Sequence, residues 1–490
     1  RPRSGEKFLA WLVGSLSLAI GTYWIKTVSW AGMLATVAIE GCFYPFVLLG
    51  ARALHRRLKL PLWLAWPLAW TGIEFLRGRV PFGGFPWMYL GHAVHELSPV
   101  IQIADLAGAS LISLVVALLN GAIVWTLLAR RRPLEERPPQ RRAWLTVVVV
   151  WVAVLVYGFV RPGTIETHRG PTIAAVQPNI PQYEKNAESL SYFETNRRIT
   201  VDLMEGATEA PDLVVWSETM LHLVELGGEI EHGQLDAQVI RPLLETRGTW
   251  LLSGANIQSV PSRDAPPETY RFTNSALLFD PQARLRGRYD KMSLVPGGEA
   301  IPLPKWLGRD LLEAFIEKFV VGQQWTFLEP GTREEIFELP TETGPVRFGA
   351  TICYENVHPW VGRALTRKGA ELLVNISNEA WFLDSLEMDQ MIGMTKIRAI
   401  ETRRSIFRAT NSGISCLVDP LGRVIDRLER GDRAKEVQGT FTAQVPTCRA
   451  DTLFLAIGSS WAWALAGLVL GLGVAEAWAA RRRKRAARES

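Results

Sequence analysis

Three segments in this chain, two of them apolar runs, end in groups that could act together on a carbonyl. Leu213–Ser217 leads into a carboxylate at Glu218, Arg288–Asp290 into an amine at Lys291, and Val346–Ile352 into a thiol at Cys353. A strand buries its own side chains and presents whatever follows it, which suits a nucleophile. Acyl transfer through a thiol needs a base for the thiol proton, a cation or N–H donors for the oxyanion, and the thiol itself. A carboxylate, a lysine and a cysteine supply all three without histidine. A lone cysteine at a strand end is more often a small buried hydrophobe. The reactive reading of Cys353 therefore requires that Glu218 and Lys291 be brought to it.

The elements that must do this lie in residues 161–451. Short β-rich runs recur at Thr172–Gln177, Leu213–Ser217, Trp250–Ile257, Asn274–Asp280, Val346–Glu355, Glu371–Ser377 and Ile414–Val418. Helical patterns fall between them at Ser189–Glu205, Leu235–Thr246 and Ser385–Arg404. Strands alternating with helices predict one α/β domain. Arg288–Lys291 is expected to follow the strand Asn274–Asp280 and a turn at Pro281. Gln258–Tyr270 and Leu303–Pro330 read as loops. The second is long, aromatic and amphipathic, as a lid or binding element would be.

The flanks are of a different kind. Phe8–Ile25, Trp30–Gly50, Leu60–Leu76, Val100–Leu128, Trp144–Val160 and Thr452–Ala479 are apolar, several long enough to cross hydrocarbon. Basic clusters at Arg1–Lys7, Arg52–Lys59, Arg130–Arg142 and Arg481–Arg488 fall on alternate sides of successive spans. The positive-inside rule puts all four in the cytoplasm and 161–451 outside it. The expected organisation is a five-span region over 1–160, a globular domain over 161–451, a last span over 452–480 and a basic tail over 481–490. The loop 77–97 is also expected outside. Its Phe85 and Trp87 are candidates for lipid contact, an ordinary aromatic belt being the alternative.

Composition narrows the function class. The chain has 490 residues, 48% of them hydrophobic, with nineteen Trp and a formal net charge of +5. That charge is small for the length and forms no basic stripe in the polar region, which argues against nucleic acid as partner. Seven His and four Cys show no metal-ligand spacing, so no metal or cofactor is expected. A Cys416–Cys448 disulfide stays open.

WSE (216–218), YDKMSLVPGGEAIPL (289–303) and ICYE (352–355) resemble the Glu–Lys–Cys signature of the nitrilase superfamily. SNEAWF (377–382) and RAIETRRSIFRATNSGIS (398–415) extend the match. The spans and the loop GGFPWMYLG (83–91) narrow it to a resemblance to the apolipoprotein N-acyltransferase family, over nearly the whole chain. The resemblance implies a four-layer α-β-β-α nitrilase-like sandwich on a polytopic helical membrane bundle. The family has eight spans against six visible here, so two more are expected ahead of Arg1. Cys353 would be the nucleophile, Glu218 the base, and Lys291 the oxyanion partner together with the Tyr354 N–H. Glu299 matches a second glutamate that helps hold the lysine and the acceptor. Tyr354 and Glu355 match positions needed for activity, a buried packing pair being the alternative. Asn274 and Asn378 are candidates to bond to the site, with structural turns as the alternative. Leu303–Pro330 and the loop at Trp381 and Phe382 would shield the thioester from water.

The implied substrates are a phospholipid acyl donor and a diacylated apolipoprotein acceptor at the bilayer of a bacterial inner membrane. The domain would face the periplasm and the protein would be a monomer. Departures at Gly297, Leu383 and Met391 keep open a membrane amidase, or a related N-acyltransferase with another amine acceptor. A catalytically silent scaffold and a transporter are rivals of other classes. The carboxylate, lysine and thiol argue against the first. The few acidic residues within spans (Glu40, Glu74, Asp105) and the lack of repeat symmetry argue against the second.

Overall fold

The computed structural model describes residues 4–489 apart from 82, 134, 136–137, 187–190, 207–208, 232–240, 246–247, 302–307 and 310–326. Most of the expected lid, Leu303–Pro330, lies outside the described residues. The chain divides into two units, Arg1–Thr164 with Thr452–Ser490, and Ile165–Asp451.

The first unit is helical. Segments Trp30–Arg57, Ala109–Arg130, Arg141–Thr164 and Ser460–Arg482 are long and apolar enough to cross a membrane. Ser4–Gly21 and Leu62–Arg77 are further helices on the apolar runs read from the sequence. Two of those runs are interrupted. The second breaks between helices Trp30–Gly41 and Tyr44–Arg57. The fourth opens with single turns at Ser98–Ile101 and Ala104–Ala107 before the helix Ala109–Arg130. Gly108 sits at the second break with φ 77°, a conformation glycine adopts without strain. Helices approach closely where side chains are small. A Cβ on Gly158 would stand 1.9 Å from the Pro99 carbonyl oxygen.

In the second unit, fourteen strands among the described residues form two sheets. They are β1 (Thr172–Gln177), β2 (Leu213–Trp216), β3 (Leu221–Leu226), β4 (Glu229–Glu231), β5 (Trp250–Val260), β6 (Arg271–Phe279), β7 (Leu285–Asp290), β8 (Phe337–Leu339), β9 (Val346–Ile352), β10 (Leu372–Ser377), β11 (Ser405–Thr410), β12 (Cys416–Val418), β13 (Val424–Arg427) and β14 (Gly439–Gln444). One sheet runs β14-β1-β2-β5-β3-β4, with β6 on β5 and β7 on β6; the other runs β13-β12-β11-β10-β9-β8. The pairs β1–β2, β2–β5, β9–β10 and β10–β11 are parallel.

Period-two alternation explains the cores. Ile173, Ala175, Leu213 and Val215 join Phe348, Ala350 and Val374 of the other sheet in one cluster. Their neighbours Ala174, Val176, Val214 and Trp216 pack in a second cluster with Ile199 and Leu244. Strands buried on both faces need continuous apolar runs, which is why these stretches stand out in the sequence.

Several boundaries differ from the sequence reading. The turn at Pro281 follows β6 as expected, but Leu285–Asp290 after it is itself a strand, hairpin-paired with β6. Gln258–Val260 belongs to β5, because pairing with β3 and β6 on both edges carries the ladder past the apolar run. β9 ends at Ile352, and Cys353 opens a 3-10 turn. Helices Ser191–Gly206 and Leu386–Thr402 occupy the expected stretches, the latter capped by the Ser385 side chain. Of Leu235–Thr246, a helix at Arg241–Glu245 is described. All four cysteines are free thiols, so Cys416 and Cys448 are not paired.

Candidate active site

The site forms where strands of both sheets end. Glu218 stands two residues past β2, Lys291 one past β7, Cys353 one past β9 and Asn378 one past β10. In parallel α/β sheets this carboxyl edge is where backbone groups and side chains are free to meet a ligand.

Glu218 is buried and its carboxylate is held from three directions. Oε1 accepts from Asn274 Nδ2 at 2.7 Å and from Lys291 Nζ at 3.3 Å, and Oε2 accepts from the Asn378 backbone N–H at 2.8 Å. A carboxylate offers about four acceptor positions, so Oε2 keeps one for a further proton. Lys291 Nζ also donates to Glu299 Oε1 at 2.7 Å, and Val295 N–H donates to Glu299 Oε2 at 2.8 Å. Burial works against the Lys291 ammonium, yet Glu299, Glu218 and Cys353 together hold its pKa above the usual lysine value. It is a fixed cation.

Cys353 keeps partial solvent access among buried neighbours. Its φ of 49° is unusual for a residue with a Cβ. Strain of this kind collects at functional sites. Burial pushes its thiol pKa well above the ordinary range, the Glu218 charge adds to this, and Lys291 pulls it back. The resting thiol is thus protonated and needs a base.

The carboxylate that builds the elbow is Glu355, which does not bond to Lys291. Its Oε2 accepts from the Ile352 N–H at 2.8 Å. Its Oε1 accepts from Tyr289 Oη at 2.8 Å, Met292 N–H at 2.6 Å and Ser293 N–H at 3.1 Å. One buried side chain therefore ties the segment after β7, which carries Lys291, to the turn that carries Cys353. Burial pushes the Glu355 pKa up to about 7, against the pull of these donors and of Lys291.

Asn274 and Asn378 both touch the base. Asn378 also donates through Nδ2 to Gln182 Oε1 at 2.8 Å. Tyr354 is buried edge-on to His358, with ring centroids 4.7 Å apart. Trp381 and Phe382 are partly exposed in the turn that precedes the helix Leu386–Thr402. Phe85 and Trp87 lie in the helical unit. Trp87 is buried against Trp24 and Phe85, so packing inside that unit takes up its ring. Lys185 stands in a pocket neighbourhood where this chain departs from the family pattern, but the sequence gives it no role at the base; it is buried beside Glu218.

Comparisons with known proteins bear on the family of the whole chain. Residues 1–122 match the apolipoprotein N-acyltransferase N-terminal domain family, and residues 172–450 match the carbon-nitrogen hydrolase family. The apolipoprotein N-acyltransferase of Azotobacter vinelandii is 31% identical, over 99% of this chain and 88% of its own length. That of Geobacter metallireducens is 29% identical, over 96% of this chain and 84% of its own. Among solved structures, Saccharomyces cerevisiae Nit3 of the nitrilase superfamily is similar over 57% of this chain and 91% of its own, at 16% identity and a TM-score of 0.39. That likeness is too distant to add weight. With both family matches in order along the chain and relatives aligned over nearly all of it, the chain belongs to the apolipoprotein N-acyltransferase family.

Proposed function

We propose that this protein acylates the α-amine of an N-terminal diacylglyceryl-cysteine on apolipoproteins, taking the fatty acyl chain from a membrane phospholipid by way of a thioester on Cys353. The observation that carries the mechanism is the convergence of Glu218, Lys291 and Cys353 from the ends of β2, β7 and β9, with Glu218 keeping an acceptor position at Oε2.

In the first half-reaction Glu218 takes the thiol proton and the thiolate attacks the ester carbonyl. Lys291 and the Tyr354 N–H receive the oxyanion charge. The C–O bond breaks, and the lysophospholipid leaves with the proton from Glu218. In the second, the neutral acceptor amine attacks the thioester, Glu218 takes the amine proton, and the C–S bond breaks. The thiolate recovers the proton from Glu218 and the amide is released. One pocket serves two bulky substrates in turn, so ping-pong kinetics follow. Glu299 and Asn274 hold Lys291 and Glu218 in place. Trp381 and Phe382 help to exclude water.

The wider reading is of a monomer with six spans in the bacterial inner membrane, the domain facing the periplasm. Apolar helices at Ser4–Gly21 and Leu62–Arg77 support the two spans beyond the four longest. A four-layer sandwich is supported by Ile199 and Leu244 packing on one sheet and by Val361, Leu365 and Met388 in the cluster of the other. Phe85 lines the lipid approach.

The test is intact-mass spectrometry of purified protein incubated with phospholipid, then with a diacylated lipopeptide. The expected result is an acyl adduct on the wild type that the lipopeptide discharges, with none on Cys353→Ala and a loss of turnover above about 10⁴-fold. An acceptor that stays diacylated would sink the reading.

A further inference from the structure

Lys185 ends in the active-site wall although it lies in a short polar helix, Gln182–Asn186, 33 residues before the base. It is only 7% exposed. Its Nζ donates to the Glu218 main-chain carbonyl at 2.9 Å and to Thr219 Oγ1 at 2.8 Å. These are a carbonyl and a hydroxyl, so among the described residues the ammonium is bonded without a carboxylate. Burying a lysine in this way is costly. Burial pushes its pKa down to about 7, while Glu218 and Cys353 pull it back up.

The turn that it grips is strained. Thr219 has φ 56°, and a β-branched residue in the left-handed region needs outside support. β5 supports one side. Met220 N–H donates to the Gly254 carbonyl at 2.9 Å, and a Cβ on Gly254 would stand 2.6 Å from Glu218 Cα. Lys185 supplies the other hold. Its own segment is anchored to the same part of the site. Ile180 N–H donates to Asn411 Oδ1 at 2.9 Å, Asn411 Nδ2 donates to Asn378 Oδ1 at 2.9 Å, and Asn378 Nδ2 reaches Gln182. Asn378 is also the residue whose N–H binds Glu218 Oε2. Main chain and carboxylate of the base are thus referenced to one network.

We propose that Lys185 is a positioning residue for the base, pinning the left-handed Glu218–Thr219 turn so that the carboxylate stays aimed toward Cys353. This rests on the acyl-transfer reading above. The experiment follows thioester formation from phospholipid on the purified full-length protein, with the melting temperature of each variant measured alongside. Lys185→Met should slow thioester formation by about 10²-fold, the scale of a misplaced catalytic group, with KM for phospholipid unchanged. Thr219→Val keeps the β-branch but removes the hydroxyl, and should slow the step by roughly fivefold, as for one lost hydrogen bond. Thr219→Gly, for which this φ is unstrained, should recover most of what Val loses, and should restore part of the rate in the Lys185→Met background.

The Val–Gly contrast keeps the test valid if Lys185→Met does not fold. A wild-type rate in Lys185→Met overturns the proposal, and so does equal slowing by Val and Gly at position 219. Wild-type protein that acquires no acyl group at all is a different failure, that of the acyl-transfer reading itself, and this proposal falls with it.

Discussion

The helical unit and the Cys353 site of the α/β unit differ in how they treat apolar surface and buried charge. In the helical unit the helix Arg141–Val160 buries Ala143, Val147, Val154 and Gly158 and leaves Val149, Val152, Val156 and Phe159 exposed. Ala143 and Gly158 allow close approach on the protein-facing side, while the exposed side stays apolar, as lipid surroundings permit. Two of this unit's buried carboxylates sit in closed pairs, while a third, Glu74, accepts from Trp70 Nε1 at 3.0 Å and from the Leu90 N–H at 2.7 Å. Arg77 meets Glu40 at 3.4 Å, and Asp105 accepts from Arg161 Nε at 2.9 Å and from Tyr157 Oη at 2.7 Å. Arg77 also donates to the main-chain carbonyls of Phe85 and Trp87, so the pair fixes a loop. In the α/β unit the charges around Cys353 do not close into pairs. Among the described residues Lys291 serves two carboxylates and Lys185 none, and the thiol lies among them. Complete pairing builds structure, whereas competing charges at strand ends perturb protonation and mark chemistry.

That contrast can be broken at several points. The largest effect is expected for Glu218→Gln, which should cut thioester formation by about 10³-fold, within the range for a lost general base. The same change removes an anion that raises the thiol pKa. The pH midpoint of Cys353 alkylation by iodoacetamide should therefore move down while acyl transfer is lost. A midpoint that stays or rises would mean that Glu218 does not act on the thiol.

Next comes Glu355→Gln. Its amide NH₂ would face backbone N–H donors, leaving buried groups unsatisfied at a cost of about 3 kcal/mol. The melting temperature should fall and thioester formation slow together, because Lys291 and Cys353 lose their common tie. The pH dependence has a definite sign. The folded-state pKa of Glu355, about 7, lies above its ordinary 4.5, so the folded protein holds the extra proton between those values. This residue's contribution to stability is present below pH 4.5 and is lost as pH rises through 7. Thermal denaturation across that window should show a smaller fall in Glu355→Gln, whose side chain does not titrate.

The smallest effect on chemistry is expected in the other unit. Arg77→Met leaves Glu40 buried without its cation, a loss of roughly 3 kcal/mol in stability. Alkylation of Cys353 should keep its wild-type rate while KM for phospholipid rises through the loosened Phe85–Trp87 loop. A matching loss in alkylation would show that the two kinds of charge are not separable.

The strands that hold the site were readable because burial on both faces leaves a near-continuous apolar run, as in Leu213–Trp216 and, broken by Asn375, in Leu372–Ser377. β7 was not, since Leu285–Asp290 carries Arg286, Arg288 and Asp290 and owes its strand to pairing with β6. Glu218, Lys291 and Cys353 could be named from their places after strands and from the family resemblance. Lys185 could not, because its burial comes from Glu218 and Thr219, which pack against it from another element.

By itself the sequence determined the division into apolar flanks and an α/β domain, the buried strands such as β1, β2, β9 and β10, and the polar groups that follow β2 and β9. These depend on local periodicity and hydropathy. The tertiary structure decided what those groups do. The donors to Glu355 include residues 62 to 66 positions away, and the Asn378 N–H on Glu218 comes from 160 positions away. The left-handed turns at Thr219 and Cys353 are non-glycine conformations that no local preference would select. They exist because packing and hydrogen bonds from distant strands impose them, and that same imposition turns a buried cysteine into a candidate nucleophile.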